Sequence, residues 1–311
     1  MMPQQHPQAD LRYAMAVSID LLGVPMDLGQ DLRGVDVGPS ALRYAGLAHA
    51  LERIGCRVED RGNIEVAVRG TLRGGKAGLS YLPEILTTCT RVYEAARRSV
   101  ADGCLPLFMG GDHSISIGTV GGVTHDGPSG VLWIDAHGDY NTPDTSPSGN
   151  IHGMPLAALR GLGLQELVDL GRPGPKLEPE DVMLIALRDL DGQERTMLRE
   201  SRMGIYTMRE IDERGIAEVA REALRRLRHH DRLHISLDMD SLDPMFAPGV
   251  GTPVSGGLSF REAHLLMEII ADDNRIGSID VVEINPILDE RNRTAEMATE
   301  LMTSLLGKSI I

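Results

Sequence analysis

The sequence is poor in sulfur, in aromatic rings and in positive charge. Among its 311 residues only Cys56, Cys89 and Cys104 are cysteines. They are odd in number, far apart and without a CxxC pair, which speaks against a disulfide framework or a thiolate zinc site and for a reducing compartment. Phe, Trp and Tyr make up 3% of the chain, too little for platforms that stack bases or flat cofactors. Lys and Arg number 31 against 45 Asp and Glu, a formal net charge of −14. Nucleic acids and anionic membranes need a basic face, so neither partner is expected, whereas a cationic substrate is permitted. No apolar run reaches membrane-spanning length. The stretch Ala14–Val24 is interrupted by Asp20 and ends in Gly-Val-Pro. The opening MMPQQHPQADLR is polar and does not read as a secretory signal. A cytoplasmic protein is expected.

What is present is an alternation of short apolar runs with longer amphipathic ones. Strands are expected at Ala14–Val24, Cys104–Met109, Gly130–Asp135, Asp181–Leu187, Gly204–Met208, Arg232–Asp238 and Gly277–Ile284. They are apolar on both faces, as strands of a covered parallel sheet are. Helical patterns fall at Pro39–Ile54, Leu79–Ala101, Arg209–Arg228, Ser259–Ala271 and Thr294–Leu306. Ser259 and Glu262 spell a capping box. There is no internal repeat and no linker, so residues 1–311 are expected to form one α/β domain, a three-layer α/β/α sandwich. Ligand sites in such folds lie beyond the carboxyl ends of the strands.

Three of those strand ends carry chemistry. Cys104–Met109 runs into Gly110, Gly111, Asp112, His113 and Ser114. Gly130–Ile134 runs into Asp135, Ala136, His137, Gly138 and Asp139. Arg232–Leu237 runs into Asp238, Met239, Asp240 and Ser241. The spacing of two in Asp135, His137 and Asp139, and in Asp238 and Asp240, places those groups on one side of an extended chain. Converging carboxylates are costly unless cations neutralise them. His and Asp without thiolate suit a borderline-hard divalent ion such as Mn²⁺, with Fe, Co, Ni or Zn as alternatives. Two His and four Asp serve two ions if some carboxylates bridge.

The segments GGDHS, DAHGDYN and SLDMDSLDP, in that order, resemble the signature motifs of the ureohydrolases, the binuclear manganese enzymes that include arginase, agmatinase and formiminoglutamase. The resemblance runs from GVPMDLGQDLRGVDVGPSALR to VVEINPILDERN and is nearest to bacterial-type arginases. It implies a central, mainly parallel eight-stranded sheet and a homo-oligomer, trimer or hexamer. It implies two Mn²⁺ per subunit, Co²⁺, Ni²⁺ or Fe²⁺ being alternatives. One ion is assigned to His113, Asp135, Asp139 and Asp238, the other to His137, Asp135, Asp238 and Asp240, with Asp135 and Asp238 bridging. The loop NTPDTSPSGNIHGMP looks like the arginase version. There Asn141 and Ser148 match the α-carboxylate contacts and His152 the proton shuttle or general acid. In ALRDLDGQE, Asp191 matches the main α-amino contact and Glu194 a supporting one. Thr252 completes the substrate set, and Glu283 matches the residue facing the guanidinium. The implied reaction is hydrolysis of L-arginine to L-ornithine and urea by a metal-bridging hydroxide that Asp139 aims.

Agmatinase is the nearest alternative, although agmatine lacks the carboxylate that Asn141 and Ser148 would bind. A second alternative is a P-loop nucleotide site. Gly70–Lys76 follows an expected short strand at Ile64–Val68, but Ala77 stands where a hydroxyl should hold Mg²⁺. A basic surface loop is the better reading. Asp144 reads as solvated. His229 and His230 read as cations at a basic helix end, where they complement the dipole, and His264 as a helix-surface residue.

Overall fold

The computed structural model describes residues 17–72 and 78–308. Eight strands form one sheet: β1 (Ser18–Gly23), β2 (Arg57–Asn63), β3 (Leu105–Met109), β4 (Gly130–Ile134), β5 (Val182–Leu187), β6 (Gly204–Thr207), β7 (Leu233–Asp238) and β8 (Ile276–Val282). Their order is β2-β1-β3-β8-β7-β4-β5-β6, and every pairing is parallel.

Alternation along each strand sorts side chains between two cores. In β4, Leu132 and Ile134 enter one cluster with helices Leu47–Arg53, Ile216–Arg226, Phe260–Asp273 and Arg293–Leu305. Val131 and Trp133 enter a cluster on the other side. Helix Leu82–Ala101 covers that second side farther along the sheet, against Phe108 and Val282. Strands buried on both faces explain the continuous apolar runs, and the result is the expected three-layer α/β/α sandwich. Among the described residues no helix is long and apolar enough to cross a membrane.

Sequence patterning missed one strand. β2 reads RVEDRGN and is largely exposed. It is an edge strand, held by ion pairs from Arg43 to Asp60 at 2.7 Å and from Arg61 to Asp20 at 3.0 Å. Charge on an edge guards against pairing with other chains and erases the apolar signature. The strand expected at Ile64–Val68 does not form. Those residues leave β2 as irregular chain, with Ile64 and Val66 resting on the core. Of the P-loop spelling, residues 73–77 lie outside the described residues, as do residues 14–16 of the first expected strand.

The expected helix Pro39–Ile54 is broken at Gly46, whose φ is 78°. Arg209–Arg228 is broken at Gly215. Helix Ser116–Val123 was invisible because its sequence, SIGTVGGV, is rich in glycine, a poor helix former. Packing outweighs propensity there. A Cβ at Gly118 or Gly122 would lie 2.5 Å from the carbonyl oxygen of Cys89 or Tyr93. His264 is buried and bonded to Ser304 at 2.9 Å, not on the helix surface.

Candidate metal centre and adjoining cavity

The carboxyl ends of β3, β4, β7 and β8 meet at the middle of the sheet. Each of the first three is followed by an aspartate that accepts a backbone N–H two residues on. Ser114 N–H donates to Asp112 Oδ1 (3.1 Å), His137 N–H to Asp135 Oδ1 (2.7 Å) and Asp240 N–H to Asp238 Oδ1 (2.8 Å). The side chains converge through these Asx turns, not through an extended chain as the spacing suggested. Asp139 completes the bend with a left-handed φ of 49°. Such strain in a non-glycine residue is characteristic of functional sites.

His113 Nδ1 lies 3.1 Å from Asp135 Oδ2, 2.8 Å from Asp139 Oδ2 and 3.2 Å from Asp238 Oδ2. His137 Nδ1 lies 3.4 Å from Asp135 Oδ1 and 3.0 Å from Asp240 Oδ2. Two groups of donors thus share Asp135: His113, Asp135 and Asp139, and Asp135, His137 and Asp240. All six residues of the expected ligand set are brought together. Asp238 joins the first group by its contact with His113.

The hydrogen bonds behind His113 fix its proton. Ser236 Oγ donates to Asp280 Oδ1 at 2.6 Å and sits 2.8 Å from His113 Nε2. With its own proton spent on Asp280, the serine oxygen accepts from Nε2–H. Nδ1 faces three carboxylates. Burial works to lower the pKa of His113, but the carboxylates of Asp139, Asp135 and Asp238 raise it well above the usual imidazole value, so this position calls for a positive charge. Both His113 Nδ1 and Asp139 Oδ2 are buried and make no hydrogen bond. A lone pair facing carboxylate oxygens at hydrogen-bond distance is repulsive unless a cation lies between them. The donor set therefore fits divalent cations, with the outer hydrogen bond that orients such histidines already in place. Trp133 adds a wall. Its ring stacks on His113 with centroids 4.3 Å apart, and its Nε1–H donates to Asp135 at 3.1 Å.

Asp280, in the middle of β8, also accepts from Ser116 (3.0 Å), Thr119 (2.7 Å) and His234 (3.2 Å). Burial works to raise its pKa, but His234 and these donors outweigh that and hold it down at about 2. The carboxylate's stabilising contribution is complete above its unfolded pKa of about 3.9 and is lost only as pH falls toward 2. Asp280→Ala should destabilise the fold by about 3–5 kcal/mol, because it strands several buried donors at once. Thermal unfolding at neutral pH measures this, and an unchanged Tm would contradict it.

Beside the donors opens a cavity of about 300 Å³ lined by His113, His137, Asp139, Asp238 and Asp240 and by eleven further residues that include Asn141, Ser148, His152, Asp191, Glu194 and Thr252. Asn141 Nδ2–H donates to Asp191 at 3.0 Å, and its oxygen accepts from Thr145 at 2.9 Å. Ser148 Oγ accepts the N–H of Asn150. Thr252 Oγ1–H donates to Asp240 Oδ2 at 2.9 Å. Glu194 is the most constrained of the set. Its oxygens accept the N–H groups of Tyr140 (3.0 Å) and Asp191 (3.3 Å). Burial raises its pKa to about 7, with Asp139 and Asp191 adding to the rise. Asp144 is exposed, as expected.

Glu283 sits one step past β8, almost fully buried, with φ 64°. Its Oε1 accepts the N–H of His113 (3.0 Å) and lies 3.1 Å from His152 Nδ1, while Oε2 accepts from Gln30 (2.8 Å). Burial alone would lower the pKa of His152. The hydrogen bond and charge of Glu283, with Asp139 and Asp112, raise it to about 9.

Sequence reasoning overlooked Gln30, Asp112, Ser236 and Asp280. The last two left a trace: with His234 and Ser278, Ser236 and Asp280 put polar side chains inside strands whose neighbours are buried and apolar. Gln30 left none.

The arginase family profile matches residues 17–307. The chain is 50% identical over 296 residues to the arginase of Bacillus caldovelox, covering 94% of this chain and 99% of that one. The solved native structure of the B. caldovelox arginase superposes with a TM-score of 0.91 at 49% identity, covering 96% and 100% of the two chains. The Entamoeba histolytica arginase, solved in complex with L-ornithine, gives 0.87 at 31% identity, covering 94% and 100%. The matched span includes all four strand ends that build the centre, and on these grounds the chain belongs to the arginase family.

Proposed function

We propose that this protein hydrolyses L-arginine to L-ornithine and urea, as one domain over residues 1–311. The observation that carries the reading is His113 Nδ1, buried without a hydrogen bond and set 2.8–3.2 Å from three carboxylates. One divalent cation would be held by His113, Asp135, Asp139 and Asp238, the other by His137, Asp135, Asp238 and Asp240. Mn²⁺ suits these nitrogen and oxygen donors, and Co²⁺, Ni²⁺ or Fe²⁺ suit them too. When bound, such a pair of cations supplies a hydroxide nucleophile near neutral pH.

The remaining work falls to side chains. Glu283 holds the cationic guanidinium by charge-assisted hydrogen bonds and turns its carbon toward the donors. Asp139 accepts a hydrogen bond from the attacking oxygen and aims it. His152 delivers a proton to the departing amine. Asn141 and Ser148 donate to the α-carboxylate without adding charge. Asp191, with Glu194 bracing its backbone, takes the α-amino group, and Thr252 steadies Asp240. A cytoplasmic homo-oligomer, trimer or hexamer, acting on a small molecule and not on nucleic acid or membranes, is part of the same reading.

Parallel urea-release assays with Mn²⁺ on L-arginine and agmatine test it. Arginine is the expected substrate, and faster release from agmatine would assign the chain to that activity instead. A protonated His152 is needed for its role, so the rate should fall as pH rises through about 9. His152→Asn should keep its metal, lose about 10²–10⁴-fold in kcat and lack that alkaline limb. A variant with the parent's profile would remove His152 from proton transfer.

A further inference from the structure

At the opposite end of the sheet, before the amino ends of β5 and β7, a second group of donors has no part in this chemistry. Asp181 closes the turn that leads into β5. Its Oδ2 accepts the N–H of Glu178 at 2.7 Å. Its Oδ1 lies 2.9 Å from His230 Nε2 and 3.8 Å from His229 Nε2. The two histidines follow the helix Ile216–Arg226, and their rings are 4.1 Å apart. The three residues have donor atoms all within 4.8 Å of one another.

His230 is not the solvated helix-end cation that its sequence context suggests. It is 4% exposed. Arg275 donates to its carbonyl at 2.8 Å, which holds the turn in place. His229 Nδ1 is 3.1 Å from the Arg226 carbonyl. Only an N–H can meet a carbonyl, so the proton of the neutral ring is on Nδ1. Its Nε2 lone pair then faces the Asp181 carboxylate. An outer carbonyl that fixes the tautomer in this way is the usual support of a metal-ligating histidine.

We propose that Asp181, His229 and His230 form a third cation site, for a borderline divalent ion such as Zn²⁺, Ni²⁺ or Cu²⁺. An ion about 2.0–2.2 Å from each donor keeps its ligand atoms roughly 2.8–3.6 Å apart, and the observed 2.9 and 3.8 Å need little adjustment. Binding displaces the proton of His230 Nε2. Nδ1 of the same ring has no partner and can take it, so the ring becomes a ligand without changing charge. The half-exposed His229 leaves the outer side of the ion to water or a small ligand. Arg225, Arg226 and Arg228 border the same surface hollow. Their charge disfavours weakly coordinating ions such as Mg²⁺ and Ca²⁺ and leaves those that bind imidazole strongly. An ion there ties the start of β5 to the turn before β7, so it stabilises the fold without touching the substrate cavity.

The test is a zinc titration of the Mn²⁺-loaded enzyme, with bound zinc and manganese counted after removal of free ions, for the parent, His229→Ala and Asp181→Asn. Zinc that replaces manganese at the family centre adds nothing to the total of bound metal. The parent should bind about one more divalent ion per chain than either variant. Zinc should also raise the Tm of the parent and not of His229→Ala, and the Mn²⁺-loaded variant should keep the parent's kcat. Equal totals in parent and His229→Ala would overturn the proposal, as would a parent total that zinc does not increase. The surface position of His229 makes that variant safe to fold, and Asp181→Asn checks it by keeping the turn while weakening the site.

Discussion

Asp238→Ala protein should emerge from purification in Mn²⁺ buffer with neither cation bound, and its urea release should fall by roughly three orders of magnitude or more, about 4 kcal/mol. Asp238 is assigned to both ions and contacts His113 directly, at 3.2 Å, as Asp135 does at 3.1 Å. Loss of an outer hydrogen-bond partner costs about 10–100-fold in metal affinity, and loss of a shared ligand must cost more. The stability of the chelated protein should respond in the other direction. Burial and the charges of Asp240 and Asp135 push the Asp238 carboxyl well above the usual carboxylate range. Removing it relieves a repulsion that only cations otherwise relieve. The variant should thus gain Tm relative to the parent under chelator and lose it when Mn²⁺ is present. Normal metal content by elemental analysis would refute the ligand assignment.

Glu283→Gln should separate binding from metal chemistry. The substitution keeps shape and removes charge. Breaking a buried ion pair costs about 3–5 kcal/mol, so kcat/KM for arginine should fall about 10²–10⁴-fold. Metal content should stay at the parent's value, because Glu283 reaches His113 through the backbone N–H and not through its ring. The alkaline limb should move to lower pH, since Glu283 is the chief group that raises the pKa of His152. A profile that does not move, together with an unchanged kcat/KM, would place the guanidinium elsewhere.

The parts of this molecule that were legible from sequence are those with a local spelling. Gly-Gly-Asp-His, Asp-Ala-His-Gly-Asp and Asp-Met-Asp stand at strand ends and survive as such. Even there the spacing pointed to the right residues for an incomplete reason, because Asx turns and the left-handed Asp139 make the bend. What was illegible depends on contacts distant in sequence. Gln30 meets Glu283 across 253 positions, and nothing in its neighbourhood marks it. The strand Arg57–Asn63 hides because an edge needs charge where a buried strand needs apolar groups. The helix Ser116–Val123 hides because its glycines serve the neighbouring helix and not its own stability.

The strand order also governs when the site can exist. On a ribosome the chain emerges as β1 to β6 first. These strands can assemble only as two separate ribbons, β2-β1-β3 and β4-β5-β6, since β7 and β8 belong between them. His113 rides on one ribbon, and Asp135, His137 and Asp139 on the other. Until β7 and β8 arrive, the two ribbons share no strand pairing, and β3 and β4 present bare edges to any other nascent chain. The full donor set thus exists only once β7 has joined, and a chain interrupted before β7 carries His113, Asp135, His137 and Asp139 but lacks Asp238 and Asp240.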